Sequence, residues 1–260
     1  MDSLISALIL AIFQGVTEWL PISSSGHIAI LEKLLGYERG LLFQVALHFG
    51  TLMAAFVYFG KDILDITKEV LFLRFKSNEG KLGLCVLIGS IPAAILGFLF
   101  FNYFDKISQN LILISLGFGL TALILFIVSF SPEKNENLSY KKSFLIGIAQ
   151  ALAILPGISR SGLTISSGAL LGLDLKNAAK FSFLLSIPVI FGANILVIGN
   201  QRLPTELIWA TLVSFLTGLI SLHFMFKVIL TNKKNLRWFG FYTLILGLII
   251  AIYYFFNYLL

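Results

Sequence analysis

Two short polar stretches in an otherwise apolar chain carry most of the side chains that could do chemistry. The first is QGVTEWLPISSSGH, residues 14–27, and the second is LPGISRSGLTI, residues 155–165. In the first, Gln14 and Glu18 are four apart and share one helix face. If a helix restarts near Ser23, Ser24 and His27 become i,i+3 neighbours. That spacing would let an imidazole reach a hydroxyl, the arrangement that activates an oxygen nucleophile. In the second stretch, Arg160 and Thr164 are four apart, with Ser159 and Ser161 beside them. A serine-rich turn that opens a helix leaves backbone N–H groups free, and the helix dipole there favours an anion. A guanidinium fork matches phosphate oxygens two at a time. Two such turns face to face, with one arginine, would make a site for a highly charged oxyanion. Plainer readings exist for each part. A serine in a membrane helix often only bonds the preceding turn, and Glu18 with Arg160 could be an ion pair that fastens two segments.

The elements that must position these residues follow from composition. The chain has 260 residues, of which 58% are apolar before its 22 glycines are counted, and only 12% are charged. Soluble domains carry about 25% charged residues and about 45–50% apolar residues with glycine included. The mean hydropathy is +0.93. A soluble enzyme, a disordered chain and a disulfide scaffold are thereby excluded, the last also because Cys85 is the single cysteine. A polytopic helical membrane protein remains. The formal charge of +6 is read as basic cytoplasmic loops and not as a nucleic-acid surface. The N-terminal MDSLISALILAIFQG has no basic leader region and no small-residue cleavage site, so it is not read as a signal peptide. Neither a phosphate-binding glycine loop, nor a zinc-type Cys/His spacing, nor a dinucleotide fingerprint is found.

Six stretches are long and apolar enough to cross a bilayer: roughly 41–60, 82–104, 111–130, 178–199, 207–228 and 239–258. Residues 1–36 and 143–172 are different. Each is broken in its middle, at Pro21–His27 and at Pro156–Gly162, and no arm is long enough for a full crossing. Loops 61–81, 131–142, 173–180 and 227–238 hold fourteen of the nineteen Lys and Arg residues. Placed in the cytoplasm, they leave Lys33, Arg39, Lys106 and Arg202 on the other side. The six spans satisfy this orientation only if both broken regions enter and leave from one side, 1–36 from outside and 143–172 from inside. Both are read as re-entrant hairpins, with the two termini outside. Irregular backbone at that depth requires protein or water around it.

A shift of 136 positions aligns the two breaks, with nine identities between positions 12 and 36, including Gln14 with Gln150, Ser23 with Ser159, Ser25 with Ser161 and Gly26 with Gly162. The expected fold is an all-α polytopic membrane protein built as an inverted-topology repeat. It forms one integral membrane domain, with repeat 1 over about 1–130 and repeat 2 over about 140–260. Each half has one re-entrant helical hairpin and three transmembrane helices. Such folds place their site where broken helices meet near the midplane. His48, in LHFGTLMA within a span, is a further residue that could face that site. His223 is assigned to the lipid or interface side, and the many aromatics to spans and interfaces.

The first stretch closely resembles the leading motif of the bacterial undecaprenyl-diphosphatase family, also called bacitracin-resistance proteins. The second resembles that family's PGxSRSxxT motif, and LHFGTLMA and IPAAILGFLF are similar to it as well. Gln14 stands where many members carry glutamate, which leaves Glu18 as the single acid at the breaks. The resemblance implies a multi-pass phosphatase of the bacterial plasma (inner) membrane. It would hydrolyse undecaprenyl diphosphate to undecaprenyl phosphate and phosphate, recycling the carrier of cell-wall synthesis and conferring bacitracin resistance. Arg160, Ser159, Ser161, Gly162 and Thr164, with Ser23, Ser25 and Gly26, would hold the diphosphate. Ser24 is the expected nucleophile and His27 its base, with His27 attacking directly or activating water as alternatives. Glu18 and Gln14 would bind a divalent cation or assist proton transfer, and the resemblance implies Mg²⁺ or Ca²⁺, which prefer oxygen ligands. A lipid substrate, no nucleic acid and an open question of homo-oligomers complete the partners. A transporter or flippase of a phosphorylated polyprenyl lipid is the alternative, because inverted repeats with broken helices are common in transporters.

Overall fold

The computed structural model describes residues 3–37, 40–100, 103, 107–198 and 205–258, and among them the regular structure is helical, with no strand. Among the described residues eleven α-helices organise the fold. They are α1 (Ser3–Trp19), α2 (Ser24–Leu35), α3 (Gly40–Tyr58), α4 (Gly60–Leu71), α5 (Asn78–Phe100), α6 (Leu111–Phe130), α7 (Tyr140–Leu152), α8 (Arg160–Leu170), α9 (Leu175–Ile198), α10 (Thr205–Lys227) and α11 (Leu236–Tyr258). Among the described residues six helical segments are long and apolar enough to cross a membrane: Gly40–Tyr58, Asn78–Phe100, Leu111–Phe130, Leu175–Val197, Thr205–Thr231 and Lys233–Asn257. These are the six stretches that hydropathy selects, and the chain is a multi-pass membrane protein. Arg39, Lys106, Arg202 and both chain ends lie outside the described residues.

The remaining apolar helices pair into two hairpins, α1 with α2 and α7 with α8. Helices of 17, 12, 13 and 11 residues are about 17–26 Å long at 1.5 Å per residue, short of a hydrocarbon core of about 30 Å. The breaks come where proline interrupts the ladder: α1 stops at Trp19 before Pro21, and α7 stops at Leu152 before Pro156. The element order after each hairpin is similar, three long helices in both cases. Helix α1 packs on α10, and α7 packs on α5; α3 lies against α9, and α6 against α11.

The sequence reading treats 61–81 as loop, whereas α4 occupies its first half. Its Ile66 and Val70 rest on Gly83 of α5, while Lys61, Asp65 and Lys68 stay on the other face. A helix with no buried residue gives little signal in a window tuned to spans.

Small residues bring the long helices together. A Cβ at Gly15 or Gly50 would run into the α10 backbone at Ser214 or Thr211. The same contacts are stitched by Ser214 Oγ donating to the Leu47 carbonyl and Ser221 Oγ donating to the Val16 carbonyl, both at 2.8 Å. Helix α7 meets α5 through Gly147 against Gly89, with Ser143 Oγ donating to the Cys85 carbonyl. Inside, Trp19 is fully buried and stands edge-on to Phe183 at 5.1 Å. The outer surface is apolar, with Phe98, Leu116, Phe130, Ile220 and Phe256 all exposed. Outside the spans, Lys142 Nζ donates to Glu136 at 2.7 Å, and this bond with the lysine's charge holds the Glu136 carboxyl below its ordinary range.

Gly147→Val should therefore separate α7 from α5. Over-packing of this kind costs about 1–3 kcal/mol or more, and a lowered unfolding midpoint of the purified protein in detergent would record it.

Candidate active site

Helix α2 begins at Ser24 and α8 begins at Arg160, and the two starts are built alike. Ser23 caps α2 by accepting from Gly26 N–H at 3.3 Å, and Ser159 caps α8 by accepting from Gly162 N–H at 3.0 Å. Each cap also pairs with the serine two residues further on, Ser23 with Ser25 at 3.3 Å and Ser159 with Ser161 at 3.2 Å. Glycine three residues after each cap lets the tips touch. A Cβ at Gly26 would meet Phe118 and Gly157, and one at Gly162 would meet Ser159 and Pro21. Ser161 Oγ donates across the tips to the Leu20 carbonyl at 2.9 Å.

Glu18 and Arg160 meet at this crossing. Arg160 Nη2 donates to Glu18 Oε1 at 2.5 Å. The other carboxylate oxygen accepts from Gln14 Nε2 at 2.9 Å and from Ser24 Oγ at 2.6 Å. His48 Nε2 lies 3.5 Å from that same oxygen, while its Nδ1–H donates to the Gln44 carbonyl at 2.8 Å. Glu18 is only 6% exposed. Arg160 stacks over Trp19, 5.5 Å from the ring, and its Nη1 is buried without a hydrogen-bond partner.

A cavity of about 260 Å³ stands over this group. Its floor includes Glu18, Ser23, Ser24, Ser25, Ser159 and Arg160, with His48 and Gln44 at the side. Its upper wall is mostly apolar, from Leu41 and Val45 of α3, Ala93, Gly97 and Phe100 of α5, and Val189, Ile190, Ala193 and Val197 of α9. Those parts of α3, α5 and α9 are the ends remote from the basic loops at 61–81 and 173–180.

The structure thus brings together Gln14, Glu18, Ser23, Ser24, Ser25, Ser159 and Arg160. It does not form the expected Ser24–His27 pair. The His27 Nδ1–H donates to the Ser23 carbonyl at 2.7 Å, and its Nε2 accepts from the Tyr242 hydroxyl at 2.7 Å. The i,i+3 spacing puts both residues on α2, but the ring turns inward against Phe118 and the serine turns to Glu18. Thr164 is fully buried, donating to the Arg160 carbonyl at 2.7 Å and paired with Ser182 at 2.5 Å, so it braces α8 without lining the cavity. Ser161, Gly26 and Gly162 likewise shape the tips.

The family model described as Bacitracin resistance protein BacA matches residues 7–249. The Undecaprenyl-diphosphatase of Christiangramia forsetii is 38% identical over 259 residues, covering 95% of this chain and 97% of that protein. The Undecaprenyl-diphosphatase of Carboxydothermus hydrogenoformans is 40% identical, covering 95% of each. That of Thermosipho melanesiensis is 41% identical, covering 93% of this chain and 96% of the other. The chain belongs to the bacitracin resistance protein BacA family.

In this BacA-family chain the donors do not fit a cation held by the protein alone. No three His, Cys, Asp or Glu side chains converge among the described residues. Glu18 already has Arg160 on one oxygen and two donors on the other, and Gln14 turns its N–H, not its carbonyl, towards it. The expected Glu18–Gln14 metal pair is thereby replaced by a guanidinium.

Sequence reasoning missed Thr121 and Tyr242 and gave His48 only a conditional place. Thr121 Oγ1 accepts from the Ser159 N–H at 2.9 Å and donates to the Gly157 carbonyl at 3.2 Å, fixing the second tip to α6. A threonine inside GLTALI or a tyrosine inside an aromatic-rich span carries no local mark. His48 with Gln44 does carry one, because two polar residues four apart share one face of a span.

Removing one partner of a buried ion pair leaves the other uncompensated, at about 3–5 kcal/mol. Arg160→Ala should lower detergent unfolding stability by that order, and Glu18→Gln in the same chain should return part of it. A double-variant loss equal to the sum of the two single-variant losses would show that the pair is not coupled.

Proposed function

We propose that this protein hydrolyses undecaprenyl diphosphate to undecaprenyl phosphate and inorganic phosphate, recycling the lipid carrier in the plasma membrane. The single observation that carries the reading is the floor of the cavity. There an arginine with one nitrogen unpaired and a serine hydroxyl bonded to a carboxylate lie beneath an apolar shaft suited to isoprenyl chain. Relatives spanning nearly the same length bear the name Undecaprenyl-diphosphatase, and the family name implies bacitracin resistance.

In this mechanism the diphosphate enters between the two helix N-termini, and Arg160 Nη1 with Ser23, Ser25 and Ser159 holds its oxygens. Phosphoryl transfer depends mainly on such positioning and charge stabilisation. Glu18, not His27, takes the proton from Ser24. Ser24 Oγ bonds to the terminal phosphorus as the anhydride P–O bond breaks, and undecaprenyl phosphate leaves with the electron pair. Water then attacks the phosphoserine, one proton returns to the serine oxygen, and phosphate departs. Mg²⁺ or Ca²⁺ enters this reading only as a counter-ion on the diphosphate.

The two halves, about 1–130 and 140–260, are read as inverted repeats with re-entrant hairpins. The exchange of packing, α1 on α10 and α7 on α5, supports that. The basic loops face the cytoplasm, so the cavity opens outward. The same packing gives the transporter reading its one support.

Purified wild-type protein in detergent should release phosphate from undecaprenyl diphosphate, which a pure transporter would not do. Ser24→Ala should lose about 10³-fold or more in kcat, and Glu18→Gln about 10²–10⁴-fold. Full activity in both variants would refute the assignment. For orientation, a membrane-impermeant maleimide should label Leu41→Cys on intact cells and Lys76→Cys only after permeabilisation. The reverse pattern would invert the topology.

A further inference from the structure

Among the described residues, Ser23 is a non-glycine helix cap whose backbone is hard to account for locally. Its φ is +67° and its ψ is 95°, a region that non-glycine residues avoid at a cost of order 1–3 kcal/mol. Such a turn persists when its surroundings over-determine it. Here the Ser23 carbonyl accepts two bonds from one residue, the His27 backbone N–H at 3.3 Å and the His27 ring Nδ1–H at 2.7 Å.

The ring bond fixes the tautomer. A carbonyl only accepts, so Nδ1 carries the proton and the neutral ring must accept at Nε2. The partner at Nε2 is the Tyr242 hydroxyl of α11, at 2.7 Å. The tyrosine and imidazole planes lie within 5° of each other, and Phe118 presses edge-on against the imidazole at 5.4 Å. His27 is 5% exposed and does not line the cavity. The series therefore runs from a tyrosine on the last helix, through a buried imidazole, to the carbonyl of a strained turn. The next residue after that turn is Ser24, whose hydroxyl points at Glu18.

We propose that Tyr242 is a positioning residue of the phosphatase reaction. By donating to His27 Nε2 it selects the Nδ1–H tautomer, which clamps the Ser23 carbonyl and so aims Ser24 at Glu18. The proposal rests on the phosphatase reading above. It gives His27 the same kind of role, support of the nucleophile's backbone instead of contact with the reacting atoms.

Tyr242→Phe keeps the ring and removes the donor. It should lower kcat about tenfold, with KM for undecaprenyl diphosphate changed by no more than about twofold, because Arg160 and the shaft are untouched. In a His27→Ala background the same substitution should add nothing further. Unchanged kcat in Tyr242→Phe, or full additivity with His27→Ala, would overturn the proposal. A second measurement needs no substrate and does not depend on Tyr242→Phe. In ¹⁵N-histidine-labelled wild-type protein, with three histidines in the chain, the resonance lost in His27→Ala should be that of an Nδ1–H ring. An Nε2–H ring there would overturn the proposal even if Tyr242→Phe failed to fold. Wild-type protein that released no phosphate, with the Nδ1–H signal present, would instead count against the phosphatase reading.

Discussion

Glu18 and Arg160 form the contact on which the rest of this structure depends. A carboxylate and a guanidinium taken out of water each cost several kcal/mol unless paired and hydrogen-bonded. The partners are 142 positions apart, and each stands at the break of a helix too short to cross a membrane. The pair forms only because both breaks reach one place. The features around it serve that end: the proline-terminated helices, the glycines that let the tips touch, the bond from Ser161 to Leu20, and the threonine that holds the second tip to α6.

The arrangement also sets the chemistry available. One guanidinium nitrogen is spent on Glu18 and another is left buried and unpaired, so the site is short of an acceptor. Two capped helix starts add oriented N–H dipoles on the same side. An anion with many oxygens relieves all of this at once, and an apolar shaft above it favours one attached to a long hydrocarbon. Glu18 meanwhile touches the serine hydroxyl, so the residue that neutralises the arginine is also placed to take a proton.

Much of the fold was legible from the sequence because hydropathy and interrupted periodicity follow directly from the bilayer. The six crossing helices and the two broken regions needed no tertiary information. Glu18, Arg160, Ser23, Ser24 and Ser159 were legible for a related reason, since polar groups inside apolar sequence are expensive and few. The expected pairing of Ser24 with His27 was not formed, because spacing fixes which face a side chain leaves from and not which way it turns. Two longer-range contacts decided that, Glu18 from α1 and Tyr242 from α11. Thr121 and Tyr242 were invisible because single polar atoms on ordinary membrane residues gain meaning only from what packs against them. Helix α4 was missed because it is too short to span, carries charges on one face and has no fully buried residue.

The central claim is that the carboxylate held by Arg160 activates Ser24 to accept the phosphoryl group. Rapid-quench labelling with undecaprenyl diphosphate carrying ³²P in its terminal phosphate tests it most directly. The account predicts transient, acid-stable label on the peptide containing Ser24. Acid-labile label on His27, or turnover with no protein-bound phosphate at any time, would contradict it.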